Sequence, residues 1–573
     1  MLDFMLLGYA TTAAVSISFV LLIISIFLYK EELFKILKRH INKKSLVLLL
    51  LICVFFTIIS LLFVPAVEQL YFDENIYQGI ALNIIHSGNS LWCQYGTGHL
   101  TSCYANQLYH DPVGFELFLG IALVIFGSGP STAYAFQFFM GLLSVIGIFF
   151  LSSVLTERKI LPVVSSLIFA TIPELLIWTR TQAAPDLPFM MLTIYAFFFF
   201  VIFTKNENKK SLLLFLSSLS LVFYTRIEAF ILLPIFFILY FTFSSNSSTL
   251  KETFKHRVSL IKKGLDSVPS TIIVFAFVLI LLPQIFYIYT ESISPQYGQP
   301  SGQSILSISN FMQNISPNLN FLFGTTSTYP IISSINILIL SILGIVVIIL
   351  FKKIKNKAGL IILPGLTIAL YFLFYTFFYA GSVGYGVDVR FMLELLPFMS
   401  ILSSFGIVGL ADAVSIITTK AIKFKHSFSI ILIVLLLIAV LFPFFSILPK
   451  ITIPISQMPQ EYFNTQATSF IYNNYQKVPT SCLVFSFTPD IWYELNRSAA
   501  QVSYLGSGNM TTNEETFKNY SCFVFDYGYW CSTPEYKNST CGSELHSYNI
   551  SVIATQNSSQ NFNFTLYKIN NFT

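Results

Sequence analysis

The sequence predicts a multi-pass α-helical membrane protein of about 12 spans with a small extracytoplasmic α/β domain at its C-terminal end. Three observations carry this. Of 573 residues, 55% are hydrophobic and only 10% are charged, against roughly 25% charged in soluble globular chains. Apolar runs of about 20 residues, the length that crosses a hydrocarbon core, recur up to residue 448. Beyond Lys450 the composition turns polar and rich in Asn. A soluble enzyme and a disordered scaffold are thereby excluded. With a net charge of +5 and no basic run interleaved with aromatics, nucleic acid is excluded as a partner.

The spans read, in order, as 6–29, 45–67, 132–155, 160–178, 187–204, 211–224, 227–243, 271–289, 331–351, 360–379, 391–410 and 428–448. The runs on either side of Thr225 count as two because Arg226 and Glu228 charge the break between them. The first run has no basic residue before it and no small-residue cleavage site, so it reads as a retained helix rather than a signal peptide. On this count 23 of the 32 Lys and Arg residues fall on one side, which the positive-inside rule makes cytoplasmic. The N-terminus and the tail are then extracytoplasmic. The chain divides into an extra N-terminal span with a basic loop (1–44), a transmembrane region (45–449) whose first outer loop covers 68–131, and a soluble domain (450–573).

Near the outer ends of the spans the basic residues are Arg180, Arg226 and Arg390, with no Lys. Lys would snorkel to headgroups equally well, whereas Arg is selected where a planar fork of donors must hold phosphate. Six of the seven cysteines also fall outside, the side where disulfides persist. Cys93–Cys103 would close the first outer loop. In the tail, Cys531–Cys541, leaving Cys482 with Cys522, is one of three pairings. Eight Asn-X-Ser/Thr sequons follow Lys450, at Asn496, Asn509, Asn519, Asn538, Asn549, Asn557, Asn563 and Asn571. Asn314 lies in another outer loop, and Asn246 alone falls inside. This distribution points to a cell membrane in a host that N-glycosylates, and the lack of a long polar cytoplasmic region to an archaeal one. In the tail, 467–475 reads as a helix and 482–487, 500–504, 522–527, 550–555 and 562–569 as short strands.

The second span ends in Tyr71–Phe72–Asp73–Glu74–Asn75–Ile76–Tyr77. Adjacent carboxylates beside hydrocarbon need partners. Ile76, Ile80 and Ile84 then have helical spacing, which predicts an amphipathic helix lying in the membrane interface. The run 115–126 is too short to cross and reads as a second interfacial helix. Further acids and arginines follow at Glu174, Arg180, Asp186, Arg226, Glu228, Asp388, Arg390 and Glu394. Charges gathered at the outer face, rather than at the midplane where transporters place them, suit a lipid substrate whose phosphate sits at the outer leaflet.

At these residues the chain resembles the GT-C glycosyltransferases. The pattern is Asp73–Glu74–x–x–Tyr77, a helix ending in Ser87–Gly88, His110–x–Pro112, and an apolar run ending in Phe126–Gly127. It is similar to the first luminal loop of dolichyl-phosphate-mannose protein mannosyltransferases and of the bacterial aminoarabinose transferases of lipid A. Arg180…Asp186, Thr225–Arg226–x–Glu228 and Arg390–Phe391…Pro397 follow in the family's order, so the resemblance covers about residues 45–400. Two departures stand out. His110–Asp111–Pro112–Val113 replaces the family's frequent Lys-Pro-Pro or His-Pro-Pro, and an extra span precedes its usual first helix.

The resemblance implies transfer of a single sugar from a polyprenyl (dolichyl-type) phosphate to a hydroxyl of a protein, lipid or glycan acceptor, with inversion. Inversion needs a base on the acceptor opposite the leaving phosphate. Asp73 is the candidate base, Glu74 would orient it or bind a sugar hydroxyl, and Asp186 would anchor an arginine or contact the sugar. Arg226, Arg390 and His110 are the candidates for holding the leaving phosphate. A divalent metal on Asp73, Glu74, His110 and Asp111 is chemically compatible with those residue types, and no spacing compels one. Two alternatives remain at this level. One is an oligosaccharyltransferase, since Phe525–Asp526–Tyr527–Gly528–Tyr529–Trp530 is similar to that family's Trp-Trp-Asp-Tyr-Gly. The other is a lipid flippase or transporter.

Overall fold

The structure, a computed structural model, describes residues 4–68, 70, 73–109, 111–243, 253–259, 268–293, 306–323, 335–350, 357–383, 387–418, 430–438, 442, 444–445, 448, 463–505, 517–528, 531, 541, 548–557 and 562–571. Its helices, in chain order, begin with α1 (Phe4–His40), α2 (Lys43–Phe63), α3 (Asp73–Ser87), α4 (Gly114–Phe126) and α5 (Pro130–Leu155). Then come α6 (Leu161–Ala170), α7 (Pro173–Trp178), α8 (Asp186–Asn206), α9 (Lys209–Phe223) and α10 (Leu232–Thr242). α11 (Val268–Ile293), α12 (Ile308–Leu322), α13 (Ile335–Leu350), α14 (Lys357–Phe377) and α15 (Leu396–Thr418) complete the bundle, and α16 (Phe463–Asn474) and α17 (Pro489–Glu494) belong to the soluble layer.

Among the described residues, seven helices are long and apolar enough to cross a membrane. The expectation of about 12 spans is not reached, for local reasons. Pro173 lacks an N–H to extend α6, so the 160–178 run breaks into α6 and α7, with the proline at the first position of the second. The runs around Thr225 form two separate helices, as the charged break predicts, but each is short. The 331–351 run is a 16-residue helix, and the 428–448 run lies partly outside the described residues. Where α13 crosses α15, a Cβ on Gly344 would stand 2.0 Å from the Leu402 carbonyl oxygen and one on Gly406 2.4 Å from that of Leu340. Only small residues allow two backbones this close.

The two ends of the bundle differ chemically. At one end lie the ion pairs Arg158–Asp412 and Arg257–Glu207 and a bond from Asn208 to Glu32 (3.2 Å). Asn caps start the helices there, Asn42 accepting from Ser45 N (2.7 Å) and Asn208 from Ser211 N (2.8 Å). At the other end lie the first loop and a seven-stranded sheet.

The strands are β1 (Trp92–Gly96), β2 (Cys103–Gln107), β3 (Cys482–Ser486), β4 (Ser498–Gln501), β5 (Cys522–Tyr527), β6 (Asn549–Asn557) and β7 (Asn563–Asn571), in spatial order β2-β1-β4-β3-β5-β7-β6. β4, β3 and β5 are parallel, and the other pairs are antiparallel. β3 reads as an unbroken apolar run because it is buried along its whole length. The disulfides Cys93–Cys103, Cys482–Cys522 and Cys531–Cys541 are formed.

Two expectations are corrected here. The β1–β2 hairpin of the 68–131 loop joins β4 through Tyr95↔Ala500 and Gly96↔Ala499, so two distant chain segments build the soluble layer. And α3 does not lie in the interface with a wet face. Glu74 through Ile84 are all buried, because its polar residues meet protein: Asn83 donates to the Leu91 carbonyl (2.7 Å), and Asn75 and Gln78 accept from Gln182 (3.1 and 3.0 Å). α17 lies across α3 at Gly79, where a Cβ would fall 1.7 Å from Asp490 Oδ1. The second expected interfacial helix is α4, whose last residues Val124, Ile125 and Phe126 are exposed while Phe115 and Leu119 are buried.

Candidate active site

The start of α3 places the first acids. Asp73 opens the helix, and its Oδ1 accepts from the Tyr109 hydroxyl at 2.7 Å. Tyr109 is buried, and its backbone is held by the Tyr287 hydroxyl of α11, which donates to the Tyr109 carbonyl and accepts from its N–H. One turn along α3, the Tyr77 hydroxyl donates to Asp111 Oδ2. The Tyr77 and Tyr109 rings meet edge to face, 5.5 Å apart. Burial, then the Asp73 carboxylate, pushes the Tyr109 phenol well above its ordinary value. It is therefore a neutral donor to Asp73 at any working pH.

Glu74 faces the other way. Its Oε1 accepts from the Leu70 N–H (2.7 Å), and its Oε2 from those of Gln182 (2.7 Å) and Ala183 (3.1 Å). Through these amides it ties the 180–186 loop to α3. Arg180 donates to the Val64 carbonyl at the end of α2 (3.3 Å). The loop ends at Asp186, in the first turn of α8, where the helix dipole favours a carboxylate.

Asp186 meets Arg226, which sits in the break between α9 and a short 3-10 turn over Ile227–Ile231. Arg226 Nη1 donates to Asp186 Oδ1 at 2.6 Å. Its Nε and Nη2 form a fork on Glu228, at 3.0 and 2.7 Å. Among the described residues one N–H on each terminal nitrogen remains. Asp186 Oδ2 is buried without a hydrogen bond among the described residues. The Phe391 ring carries both remaining candidates, with the Arg390 guanidinium carbon 4.9 Å and that of Arg226 5.5 Å from its centroid. Tyr375 stacks on the same ring at 4.9 Å. Buried Glu394 lies one turn further on, with both carboxylate oxygens unbonded among the described residues.

These clusters are neighbours. Arg226, Arg390 and Asp111 lie within electrostatic reach of Asp186, and Tyr77 is within reach of Asp73, Asp111 and Arg390. Groups more than 300 residues apart in sequence therefore share one end of the bundle. His110 lies outside the described residues. Among the described residues no three His, Cys, Asp or Glu side chains converge as metal ligands. Of the set Asp73, Glu74, His110 and Asp111, Glu74 is held by backbone amides and His110 falls outside the described residues.

Two hollows flank the cluster. A narrow cavity of about 30 Å³ lies between Asn75, Thr468, Ser486, Thr488, Asp526 and Gly528, room for about two water molecules. A larger one of about 580 Å³ is walled by Ile231, Pro234, Leu306, Leu370, Phe374 and Phe377. α14 thus turns Leu370 and Phe374 to an apolar groove, and Tyr371 and Tyr375 toward Glu394, Glu228 and Arg226.

Sequence reasoning missed Tyr109 as a partner of Asp73. It also missed Glu68 and Asp490, both buried, and half-buried Glu494, where α3 meets the soluble layer. Tyr109 adjoins the quoted His110–Asp111–Pro112 element, and an aromatic there was the available signal. The three acids had none, since each needs a partner from another segment.

Residues 110–262 match the family described as dolichyl-phosphate-mannose-protein mannosyltransferase. The chain is similar to the structure of ArnT from Cupriavidus metallidurans bound to undecaprenyl phosphate, with 10% identity, 92% of this chain and 98% of that chain covered, and a TM-score of 0.52. It is also similar to the archaeal oligosaccharyltransferase AglB from Archaeoglobus fulgidus in complex with an inhibitory peptide and a dolichol-phosphate, with 12% identity, 91% and 74% covered, and a TM-score of 0.51. Among curated protein sequences none matches this chain. The chain thus shares the fold of these two solved structures.

Proposed function

We propose that this chain moves a single sugar from a polyprenyl phosphate to an acceptor hydroxyl at the outer face of the membrane, with inversion at the anomeric carbon. The observation that carries this is the convergence of Asp73, Asp111, Asp186, Arg226 and Arg390 at the end of the bundle away from the Arg158–Asp412 and Arg257–Glu207 pairs. That basic end is cytoplasmic on the positive-inside rule, which makes the cluster and the C-terminal domain extracytoplasmic.

The roles follow from the geometry. Asp73, held by Tyr109 but only partly buried, takes the acceptor's proton as the hydroxyl oxygen attacks. Arg390 and the two N–H groups left on Arg226 receive the lipid phosphate as the C–O bond breaks and negative charge collects there. Asp186 and Glu228 hold the Arg226 fork in place. Asp186 Oδ2, buried and unbonded among the described residues, is the acceptor offered to a sugar hydroxyl. The apolar groove beside Phe374 receives the start of the isoprenoid chain. The ligands bound in the two similar structures, undecaprenyl phosphate in ArnT and dolichol-phosphate in AglB, are of the same chemical class and support this donor.

The test is incubation of the purified protein with a panel of polyprenyl-phosphate monosaccharides and a lipid-linked oligosaccharide, scoring release of the free lipid phosphate. Turnover of one monosaccharide donor is expected. Turnover of the oligosaccharide alone would assign the chain to oligosaccharide transfer. Lipid flux across proteoliposomes without sugar transfer would make it a flippase.

A further inference from the structure

The sheet that roofs the site has two edges, and they are treated differently. Beside β2 lie the ends of α1 and α3. Asn106 accepts from Asn83 (3.3 Å) and donates to Met5 Sδ (3.5 Å), and Leu108 packs with Leu7 and Tyr287. Among the described residues β6, at the other edge, pairs with β7 alone. Its residues Asn549, Ser551, Val552, Thr555, Gln556 and Asn557 are exposed, Val552 at 59%.

An open edge strand is a template for strand addition, which proteins blunt with lysine, other charges or proline. β6 reads Asn-Ile-Ser-Val-Ile-Ala-Thr-Gln-Asn and has none of these. An uncharged strand rich in β-branched residues is the kind that self-associates.

What β6 does have is sequons at its corners. The register pairs Asn549 with Asn571 and Asn557 with Asn563, and each of the four begins an Asn-X-Ser/Thr triplet. The side chains of Asn549, Asn557 and Asn563 are exposed. The contrast is Asn314, also in a sequon. It is buried, and its amide nitrogen donates to the carbonyls of Thr376 (3.2 Å) and Phe378 (2.7 Å).

We propose that the corners of the β6–β7 hairpin are N-glycosylation sites and that the attached glycans shield the free edge of the sheet. The donor is a lipid-linked glycan, on a polyprenyl phosphate or pyrophosphate, used by the host's oligosaccharyltransferase. The Asn side-chain nitrogen bonds to the anomeric carbon, the C–O bond to the phosphate breaks, the lipid phosphate leaves with the electron pair, and the amide gives up one proton. A branched hydrophilic group at each end of β6 excludes a second strand by bulk and hydration, as a charge would.

The inference rests on the extracytoplasmic orientation proposed above, and the experiment separates the two. The full chain is expressed in a host that N-glycosylates, and site occupancy is mapped by mass spectrometry after enzymatic release of the glycans. Occupancy at Asn549, Asn557 and Asn563, with Asn314 bare, is expected. The triple variant Asn549→Gln, Asn557→Gln, Asn563→Gln should lose the monodisperse peak on light scattering in favour of larger species. Asn519→Gln, an exposed sequon away from the edge, should keep it. Bare corners on a domain that added protease reaches from outside overturn the inference alone, and a shielded domain overturns the orientation with it. A triple variant that stays monodisperse, or an Asn519 variant that aggregates as badly, removes the shielding role.

Discussion

Acids are buried in two places in this protein, and their partners differ. At the candidate site Asp186 and Glu228 flank the Arg226 guanidinium. At the seam between α3 and the soluble layer, the acids meet neutral donors. Asp490 accepts from the Trp92 indole (3.1 Å), Glu494 from the Tyr472 hydroxyl (2.7 Å), Glu68 from Asn75 (3.4 Å), and Asp526 from Ser486 (2.8 Å) and Trp492 (3.1 Å). Burial pushes Glu68 and Glu494 up to about 7, Asp526 up to about 6, and Asp490 well above the carboxylate range. The number of buried acids therefore does not locate the chemistry; the partner does. Carboxylates beside a guanidinium hold it in place, and it can in turn position a phosphate ligand. Carboxyls among phenols and indoles take up a proton and become part of the packing.

Substitutions can break or sharpen this contrast. The largest effect belongs to Asp73→Asn, which should cut transfer by about 10²–10⁴-fold, the usual contribution of a general base, with normal expression. Wild-type turnover in that variant would leave the base unassigned. Next comes Arg226→Ala, which strands two buried carboxylates and should cost about 3–5 kcal/mol, read as a lower melting temperature in detergent together with lost activity. Arg390→Ala should act differently. Losing charge-assisted bonds worth about 1.5–3 kcal/mol weakens the donor Kd roughly 10- to 150-fold and lowers the melting temperature less than Arg226→Ala does. If both variants melt like wild type, the Asp186–Arg226–Glu228 cluster is not the brace described here.

Much of this was legible in the sequence because hydropathy and residue type act locally. The long spans, the strand runs 482–487 and 522–527, the Cys93–Cys103 disulfide and the arginines at span ends all show in short windows. Other properties depend on what a residue meets. The polar positions of α3 looked wet because Asn75, Gln78 and Asn83 are polar, yet Gln182 and the Leu91 carbonyl, distant in sequence, satisfy them. The β1–β2 hairpin looked like part of a membrane-bound loop, since no local signal says that Tyr95 pairs with Ala500. Arg226 looked free to bind phosphate, and it spends most of its donors on Asp186 and Glu228. Glu74 looked like half of a catalytic pair, and three backbone amides claim it.

The smallest predicted effect tests the seam itself. The groups around Glu494 are the Tyr472 hydroxyl and the Gln78 side chain, with Glu68 as the nearby acid, and burial pushes its carboxyl up to about 7 from an ordinary 4.5. Between those two pH values the docked domain holds a proton that the opened state releases. The stabilisation is fully present below about pH 4.5 and is lost as pH rises through 7, by up to about 1.4 kcal/mol per unit. Glu68 adds to the same slope, being raised to the same value by the same cause. In detergent, the wild-type melting temperature should therefore fall from pH 5 to pH 8. Glu494→Gln is neutral throughout and keeps an oxygen for Tyr472, so its profile should be flatter. A wild-type profile that rises over this range would mean that the seam acids are charged and paired in the folded protein. The distinction between the two regions would then be lost.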